Sequence, residues 1–152
     1  MAPSNTKLKI FLAGVIQGSL VEAKIHAQDW REPIKALLAR YLPAADVYCH
    51  YSCHPNSITY GMDGIRRTLE EGLAQAAACP LMVAYVPTAS MGTAVEMYEA
   101  CRNGRVVLTI SPLAANWIIR AYSDRIFADV AAFEDFLASG ELAQLLKQKA
   151  QR

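Results

Sequence analysis

The chain has 152 residues, of which 53% are hydrophobic and 19% charged, and its formal net charge is +1. This length suits a single domain spanning residues 1–152, which can bury a core without support from disulfides or a metal. The near-neutral charge argues against a nucleic-acid partner, and no apolar stretch approaches the roughly 20 residues of a membrane span. We therefore expect a cytoplasmic protein that does not act on membranes or nucleic acids.

The N-terminal part predicts a polar tail over residues 1–6 and a first strand over residues 7–13, which is apolar without a break from Ile10 onward. Two lysines ahead of this apolar run imitate a signal peptide, but the run is short and lacks a convincing cleavage site. Gly14 and Gly18 then bracket the turn in AGVIQGS. Their spacing fits a ligand-binding loop and a tight connection from strand to helix equally well.

Helical spacing predicts a first helix that ends before Pro43, and a strand follows at residues 45–49. A long polar loop is predicted over residues 50–64, and a second helix over residues 65–78. Long loops in compact domains are often functional. The loop side chains that we consider as ligand contacts are Tyr51, His54 and Asn56.

The same loop begins with the sequence CHYSCH, which carries two cysteines and two histidines. Thiolates and imidazoles are the usual ligands of zinc, but the segment lacks the second, distant pair of ligands that structural zinc sites use. The four cysteines of the chain are scattered, and a chain of this size needs no cross-links, which favours reduced thiols. We predict no disulfide, no metal and no cofactor.

Residues 81–111 predict a strand, a helix and a second strand, because the apolar runs at residues 81–86 and 106–110 suit parallel strands covered on both faces. Ser90 is placed to cap the first turn of the helix, and Asn103-Gly104 is placed to end it. Glu96 lies inside the helix, too far from Ser90 to complete a capping box.

The position of Glu96 suggests a catalytic role. In a doubly wound sheet, ligands bind at the carboxyl ends of the strands, where a helix N-terminus favours negative charge. Glu96 is then expected to be ionised and near a ligand, as nucleophilic attack on the anomeric carbon of a sugar requires. A solvated glutamate on an amphipathic helix is the other interpretation of the same spacing.

The remaining chain predicts a short helix around residues 116–122, a fifth strand near residues 125–127, and helical residues 130–150 with a break at Gly140. Strands and helices alternate along the whole sequence. This pattern predicts an α/β protein with a flavodoxin-like (Rossmann-like) three-layer sandwich around a five-stranded parallel sheet.

The segment VAYVPTASMGTAVE resembles the signature of the nucleoside 2-deoxyribosyltransferase superfamily, in which a glycine precedes the nucleophilic glutamate by four residues. Gly92 and Glu96 match these positions. The segment is especially similar to the branch that hydrolyses nucleoside 5′-monophosphates, which includes cytidylate hydrolases and deoxynucleotide N-hydrolases. In that branch a serine six residues before the glutamate binds phosphate, and Ser90 matches it. The resemblance implies cleavage of an N-glycosidic bond, by hydrolysis or transfer, through a covalent ester between the sugar and Glu96.

The resemblance implies further contacts with a nucleoside or nucleotide substrate. The loop after the first strand would hold sugar and phosphate through Gly14, Gln17, Gly18 and Ser19. The sequence NWII resembles a segment whose first residue reaches the active site of a neighbouring subunit. It implies that Asn116 contacts substrate, that Trp117 anchors an interface, and that the protein is a homodimer or higher homo-oligomer with shared active sites.

Two positions depart from the pattern. Relatives carry in the second helix an aspartate that bonds the leaving base or the sugar, and Gly72 stands at that position here. Either Glu70 or Glu71 replaces it, or nothing does. Phe11 occupies a place where relatives often have a tyrosine. Because these departures remove polar groups, a non-catalytic module that binds or senses nucleotides remains the alternative to an enzyme.

Overall fold

A computed structural model of the chain describes residues 6–152 and contains a sheet of five parallel strands in the order β2-β1-β3-β4-β5. The tail predicted for residues 1–6 lies, apart from Thr6, outside the described residues. The strands are β1 (Lys9–Gly14), β2 (Asp46–Cys49), β3 (Leu81–Tyr85), β4 (Val106–Ile110) and β5 (Arg125–Phe127). The predicted α/β sandwich with a five-stranded parallel sheet is confirmed.

Helices connect the strands and cover both faces of the sheet. They are α1 (Arg31–Tyr41), α2 (His50–Cys53), α3 (Met62–Ala78), α4 (Met91–Arg102), α5 (Trp117–Tyr122), α6 (Val130–Ser139) and α7 (Glu141–Ala150), with a single 3-10 turn at Ser57–Thr59. None of the helices in residues 6–152 combines the length and the apolar character needed to cross a membrane.

Alternate residues of the central strands pack into two separate hydrophobic cores, one on each face of the sheet. Ile10 and Leu12 of β1 pack with α1, α6 and α7 on one face, whereas Phe11 and Ala13 pack with α3, α4 and α5 on the other. Burial on both faces explains the unbroken apolar runs in β1, β3 and β4. The strand order reverses between β1 and β3, so a crevice forms where the chain leaves these two strands.

The predicted long loop at residues 50–64 is wrong in part. It contains α2 and the 3-10 turn, and α3 already begins at Met62 instead of at residue 65. Elements of three or four residues are too short to show a period of 3.6 in their apolar positions, which is why the sequence did not reveal them. The helical break predicted at Gly140 is confirmed, since this glycine has φ +77° between α6 and α7.

Candidate active site

A cleft with a volume of about 470 Å³ opens at the carboxyl ends of β1 and β3. Three parts of the chain form its walls: the loop after β1, the segment from α2 to the 3-10 turn, and the facing sides of α3 and α4. Parallel strands deliver all of these segments to the same edge of the sheet. Among the residues predicted as substrate contacts, Gly14, Gln17, Gly18, Ser90, Gly92 and Glu96 line this cleft.

Glu96 lies half-buried on α4, and its carboxylate approaches α3. A β-carbon added to Gly72 would come within 2.7 Å of Glu96 Oε1, so the absence of a side chain on Gly72 leaves the space that this carboxylate uses. Burial raises the pKa of Glu96 to about 8, against the opposing attraction of the Arg31 charge. Burial therefore opposes the expected ionisation of Glu96, because desolvation favours the neutral carboxyl group.

Arg31, at the start of α1, is the charge that acts on Glu96. Its side chain is only 2% exposed. The guanidinium donates to Gln28 Oε1 at 2.9 Å and to Cys49 Sγ at 3.4 Å, and it lies over the rings of Trp30 and Tyr51. Sequence analysis did not single out Arg31. Its role depends on a contact with β2, which no local pattern reveals.

The N-terminus of α4 supplies the opposite rim of the cleft. Ser90 caps the helix as predicted, since its Oγ accepts a hydrogen bond from the Thr93 backbone N–H at 3.4 Å. The same hydroxyl lies 2.9 Å from Thr93 Oγ1. Gly92 follows, and a β-carbon added there would meet no atom within 4 Å. Packing within the protein does not require a glycine at this position.

The backbone of the loop after β1 forms one side of the cleft. Gly14 and Gly18 each allow a close approach: a β-carbon on Gly14 would collide with the Trp30 ring, and Gly18 has φ +57° with His26 Nε2 2.8 Å from its β-carbon position. Gln28 fixes the loop by donating to the carbonyl oxygens of Val15 and His26. Packing therefore accounts for both glycines, and the loop they form also lines the cleft.

Two predicted contacts lie elsewhere. Ser19 is exposed and does not line the cleft. Asn116 caps α5, with its Oδ1 accepting hydrogen bonds from Ile118 N at 3.0 Å and Ile119 N at 3.3 Å, and it too lies outside the cleft of its own chain. Neither placement tests a contact with a substrate held by a second subunit.

Among the loop candidates, Tyr51 and His54 line the cleft, whereas Asn56 does not. Glu71, one of the two possible substitutes for the missing aspartate, bonds His54 Nε2 at 2.6 Å instead of entering the cleft. Glu70 is exposed and lies outside it.

His50 is a cleft residue that sequence analysis missed, because it was considered only as a zinc ligand. It directly follows the last residue of β2, and that position at a carboxyl strand end was the available indication. Within residues 6–152, no three His, Cys, Asp or Glu side chains are placed to hold a metal ion, and the four cysteines are free thiols.

Comparison with known proteins rests on structure alone, since no protein-family model and no curated protein sequence matches the chain. A CMP N-glycosidase of Clostridium botulinum aligns with TM-score 0.47 and 16% identity over 86% of this chain and 97% of that one. A conserved protein from Enterococcus faecalis V583 aligns with TM-score 0.60 and 15% identity, over 88% and 99% of the two chains. A 2-deoxyribosyltransferase from Bacillus psychrosaccharolyticus aligns with TM-score 0.61 and 17% identity over 83% of this chain and 90% of that chain, and the protein therefore shares the fold of a 2-deoxyribosyltransferase.

Proposed function

We propose that the protein cleaves the N-glycosidic bond of a nucleoside or nucleoside 5′-monophosphate, by hydrolysis or by transfer, through a covalent ester on Glu96. The observation that carries this proposal is the position of the Glu96 carboxylate in the cleft, between α3 and the N-terminus of α4. The shared fold with a 2-deoxyribosyltransferase and the SMGTAVE signature support the same reaction.

The proposed reaction needs one carboxylate as the nucleophile and one acceptor for the sugar. The ionised carboxylate of Glu96 forms a bond to the anomeric carbon while the bond to the base nitrogen breaks, and the base nitrogen keeps the electron pair of that bond and takes a proton from solvent. Water, or a second base, then attacks the same carbon and releases Glu96. Two displacements retain the configuration at the sugar. The extent to which the closed cleft excludes water decides between hydrolysis and transfer.

A phosphate would bind at the start of α4. Ser90 and the first residues of this helix line the cleft, and a helix N-terminus favours an anion. Gln17 and the backbone around Gly18 lie across from them. We propose that these groups hold the sugar and phosphate, so that the base extends toward the wall formed by residues 50–60.

We further propose that the active form is a homodimer or higher homo-oligomer. Exposed large apolar side chains lie on each of the three helices on one face of the sheet, and we call this set the α3–α5 face. Its members are Ile65, Leu69, Met91, Val95, Tyr98, Trp117 and Ile118. Exposed apolar surface of this kind is what an interface between proteins uses, and the set borders the cleft through Ile65, Leu69 and Met91. A second copy seated there would bring Asn116 toward its partner's cleft.

A non-catalytic module that binds nucleotides is the second candidate. Two observations favour it. Gly72 supplies no acid to protonate a leaving base. Phe11 carries no hydroxyl and is fully buried, so no polar group enters the cleft from that position. The raised pKa of Glu96 also disfavours the ionised form that a nucleophile needs.

One experiment separates the two candidates. The purified protein is incubated with the common nucleosides, deoxynucleosides and their 5′-monophosphates, and the products are separated by chromatography with and without a second free base. An enzyme releases or exchanges a base, and Glu96→Gln abolishes this activity. Saturable nucleotide binding with no free base from any substrate would instead establish the binding module.

A further inference from the structure

Arg31 carries a buried positive charge that has no carboxylate partner at ion-pair distance within residues 6–152. The residue is 2% exposed. Its guanidinium donates to the side-chain oxygen of Gln28 and to the sulfur of Cys49. Buried charges are normally paired with an opposite charge, because moving a lone ion out of water is costly. The position of this charge therefore calls for a further explanation.

Aromatic rings are the other neighbours of the guanidinium. Its central carbon lies 4.2 Å from the centre of the Trp30 ring and 5.0 Å from the centre of the Tyr51 ring. Trp30 also stacks on Tyr85, with the ring centres 4.6 Å apart and an angle of 27° between the planes. Both distances to Arg31 are within the range of about 6 Å in which a cation is attracted to the face of an aromatic ring. We call these four residues, Tyr85, Trp30, Arg31 and Tyr51, the Arg31 stack.

Tyr51 is the member of the Arg31 stack that lines the cleft, whereas Trp30, Arg31 and Tyr85 do not. It is half-buried and lies at the second position of α2. Because Arg31 is buried and lies outside the cleft lining, it covers the Tyr51 ring from the protein side. In the described part of the chain, no second aromatic ring packs against Tyr51. The part of the ring that borders the cleft is therefore available to a ligand.

The lining of the cleft suits a flat and largely apolar group. Ile58, Ile65 and Leu69 contribute to it, and the last two lie one turn apart on α3. Ligand pockets combine such apolar side chains with a few polar groups that fix orientation. Tyr51 lines the same cleft as Glu96, where the sugar is proposed to react. A nucleoside bound there would place its base against the apolar part of the lining.

We propose that the base of the substrate stacks on Tyr51, that Arg31 strengthens this contact from behind the ring, and that a purine is the base it favours. This inference rests on the proposed cleavage of a nucleoside or nucleotide, and it names the class of base for that same site. Tyr51 would then be a residue that determines specificity, and Arg31 a positioning residue that acts through it.

Two physical properties favour a purine over a pyrimidine. Stacking strength grows with the ring area that is removed from water, and two fused rings offer more of it than one. The charge of Arg31 also attracts electron-rich π faces, and the buried surroundings weaken this attraction less than water would. The same charge disfavours a base that carries a positive charge.

The first test measures affinity by calorimetric titration. The ligands are carbocyclic analogues of adenosine, guanosine, cytidine and uridine, their 2′-deoxy forms and their 5′-monophosphates, in which a CH₂ group replaces the ring oxygen and prevents cleavage. We expect the wild type to bind purine analogues more tightly than the matched pyrimidine analogues. Tyr51→Leu, which still covers Arg31 with an apolar group, should weaken purine binding by about 5- to 150-fold and reduce the preference for purines.

Two control variants accompany this measurement. Tyr51→Phe keeps the ring and should retain the affinity of the wild type. Tyr41 forms the same kind of pair with Arg40, at 5.2 Å, but at the other end of α1 and outside the cleft. Tyr41→Leu should therefore leave the affinity for every analogue unchanged.

The contribution of Arg31 is tested by Arg31→Met, which removes the charge and keeps a long side chain. Circular dichroism checks that the variant is folded. Its affinity for purine analogues should fall by about 2- to 30-fold, with a smaller loss for pyrimidine analogues. Equal losses for both classes would overturn the role of Arg31.

A spectroscopic measurement covers the case in which Tyr51→Leu or Arg31→Met does not fold. The fluorescence of 2-aminopurine is quenched when this base stacks on another ring. A carbocyclic 2-aminopurine nucleoside should therefore lose emission when it binds to the wild type or to Tyr51→Phe.

Three results would overturn the proposed stack: equal purine affinity in the wild type and Tyr51→Leu, pyrimidine analogues that bind the wild type as tightly as purines, or bound 2-aminopurine with undiminished emission. Each of them leaves the cleavage reaction standing as long as the wild type releases a base. A wild type that binds none of the analogues and releases no base from any substrate would refute the cleavage reaction itself, and the stack with it.

Discussion

At the scale of single residues, the proposed reaction requires that Glu96, although half-buried, loses its proton so that it can act as the nucleophile. Glu96→Gln preserves size while removing the nucleophile and its charge. We expect the variant to fold and to bind nucleotide, but to lose turnover by several orders of magnitude. With a 2-fluoro sugar substrate, the wild type should accumulate a mass adduct on the peptide that contains Glu96. Normal turnover of the variant, or an adduct on Glu99, would return Glu96 to the role of a helix glutamate.

Ser90 combines a structural role with a proposed one. It caps α4 through the Thr93 N–H, and the residue also lines the cleft. Ser90→Asp keeps a good cap and adds a negative charge. Activity on 5′-monophosphates should then fall much further than activity on the corresponding nucleosides. The comparison of kcat/KM for the two substrate classes checks this, and equal losses would show that Ser90 is only a cap.

A substitution at Gly92 tests the shape of the cleft without changing its charge. An added β-carbon meets no protein atom within 4 Å, and alanine is favoured over glycine in helices by about 1 kcal/mol. Gly92→Ala should therefore leave thermal stability equal or higher, yet weaken nucleotide binding, because the methyl group projects into the cleft. Calorimetric titration measures the affinity. Gly61→Ala, which is equally open but outside this cleft, is the control, and unchanged affinity in Gly92→Ala would contradict the proposed binding mode.

Residues were predictable where function coincides with a local pattern. Ser90 caps the helix that carries Gly92 and Glu96, so the predicted helix brought them together, and the resemblance of SMGTAVE to a family signature indicated a role for them. His50 and Arg31 were not recognised, because each acts across the fold: His50 beside Gly72 of α3, and Arg31 beside Cys49 of β2. Such contacts depend on the strand order, which a single sequence does not display.

At the scale of elements, the βαβ unit from β3 to β4 matched its prediction closely, because unbroken apolar strands and the Asn103-Gly104 stop are strong local features. The wall at residues 50–60 did not match its prediction. Its short helices lack both periodicity and side-chain caps, so their conformation is decided by contacts such as the one between His54 and Glu71.

The α5 helix should contribute to assembly more than to folding. Trp117 is 86% exposed, so its removal costs the isolated chain little packing. Trp117→Ala should leave the unfolding temperature of the monomer nearly unchanged while shifting the oligomer toward dissociation, as measured by sedimentation at several concentrations. Val21→Ala removes another exposed apolar side chain, in the loop after β1, and should not shift assembly. A fully active wild-type monomer would exclude the shared site.

At the scale of the whole molecule, burial of Glu96 couples stability to pH. Its pKa rises from 4.5 to about 8 on folding, so between these values the folded state binds more protons than the unfolded one. This contribution to stability is complete below about pH 4.5 and is lost as the pH rises through 8. The free energy of unfolding, measured in urea at a series of pH values, should decline over this range. Glu96→Gln should flatten the decline, and an unchanged slope would show that Glu96 stays ionised.

The walls of the cleft also differ in how firmly the fold holds them. The loop after β1 and the start of α4 emerge from strands buried on both faces, whereas the wall at residues 50–60 consists of a four-residue helix and a 3-10 turn beside an edge strand. Local opening is cheapest where few apolar contacts are broken. In the proposed binding mode, the sugar and phosphate would therefore meet the firmly held walls, and the base would meet the wall that opens most easily. Substitutions within residues 50–60 would then change the choice of base without disturbing the reaction proposed for Glu96.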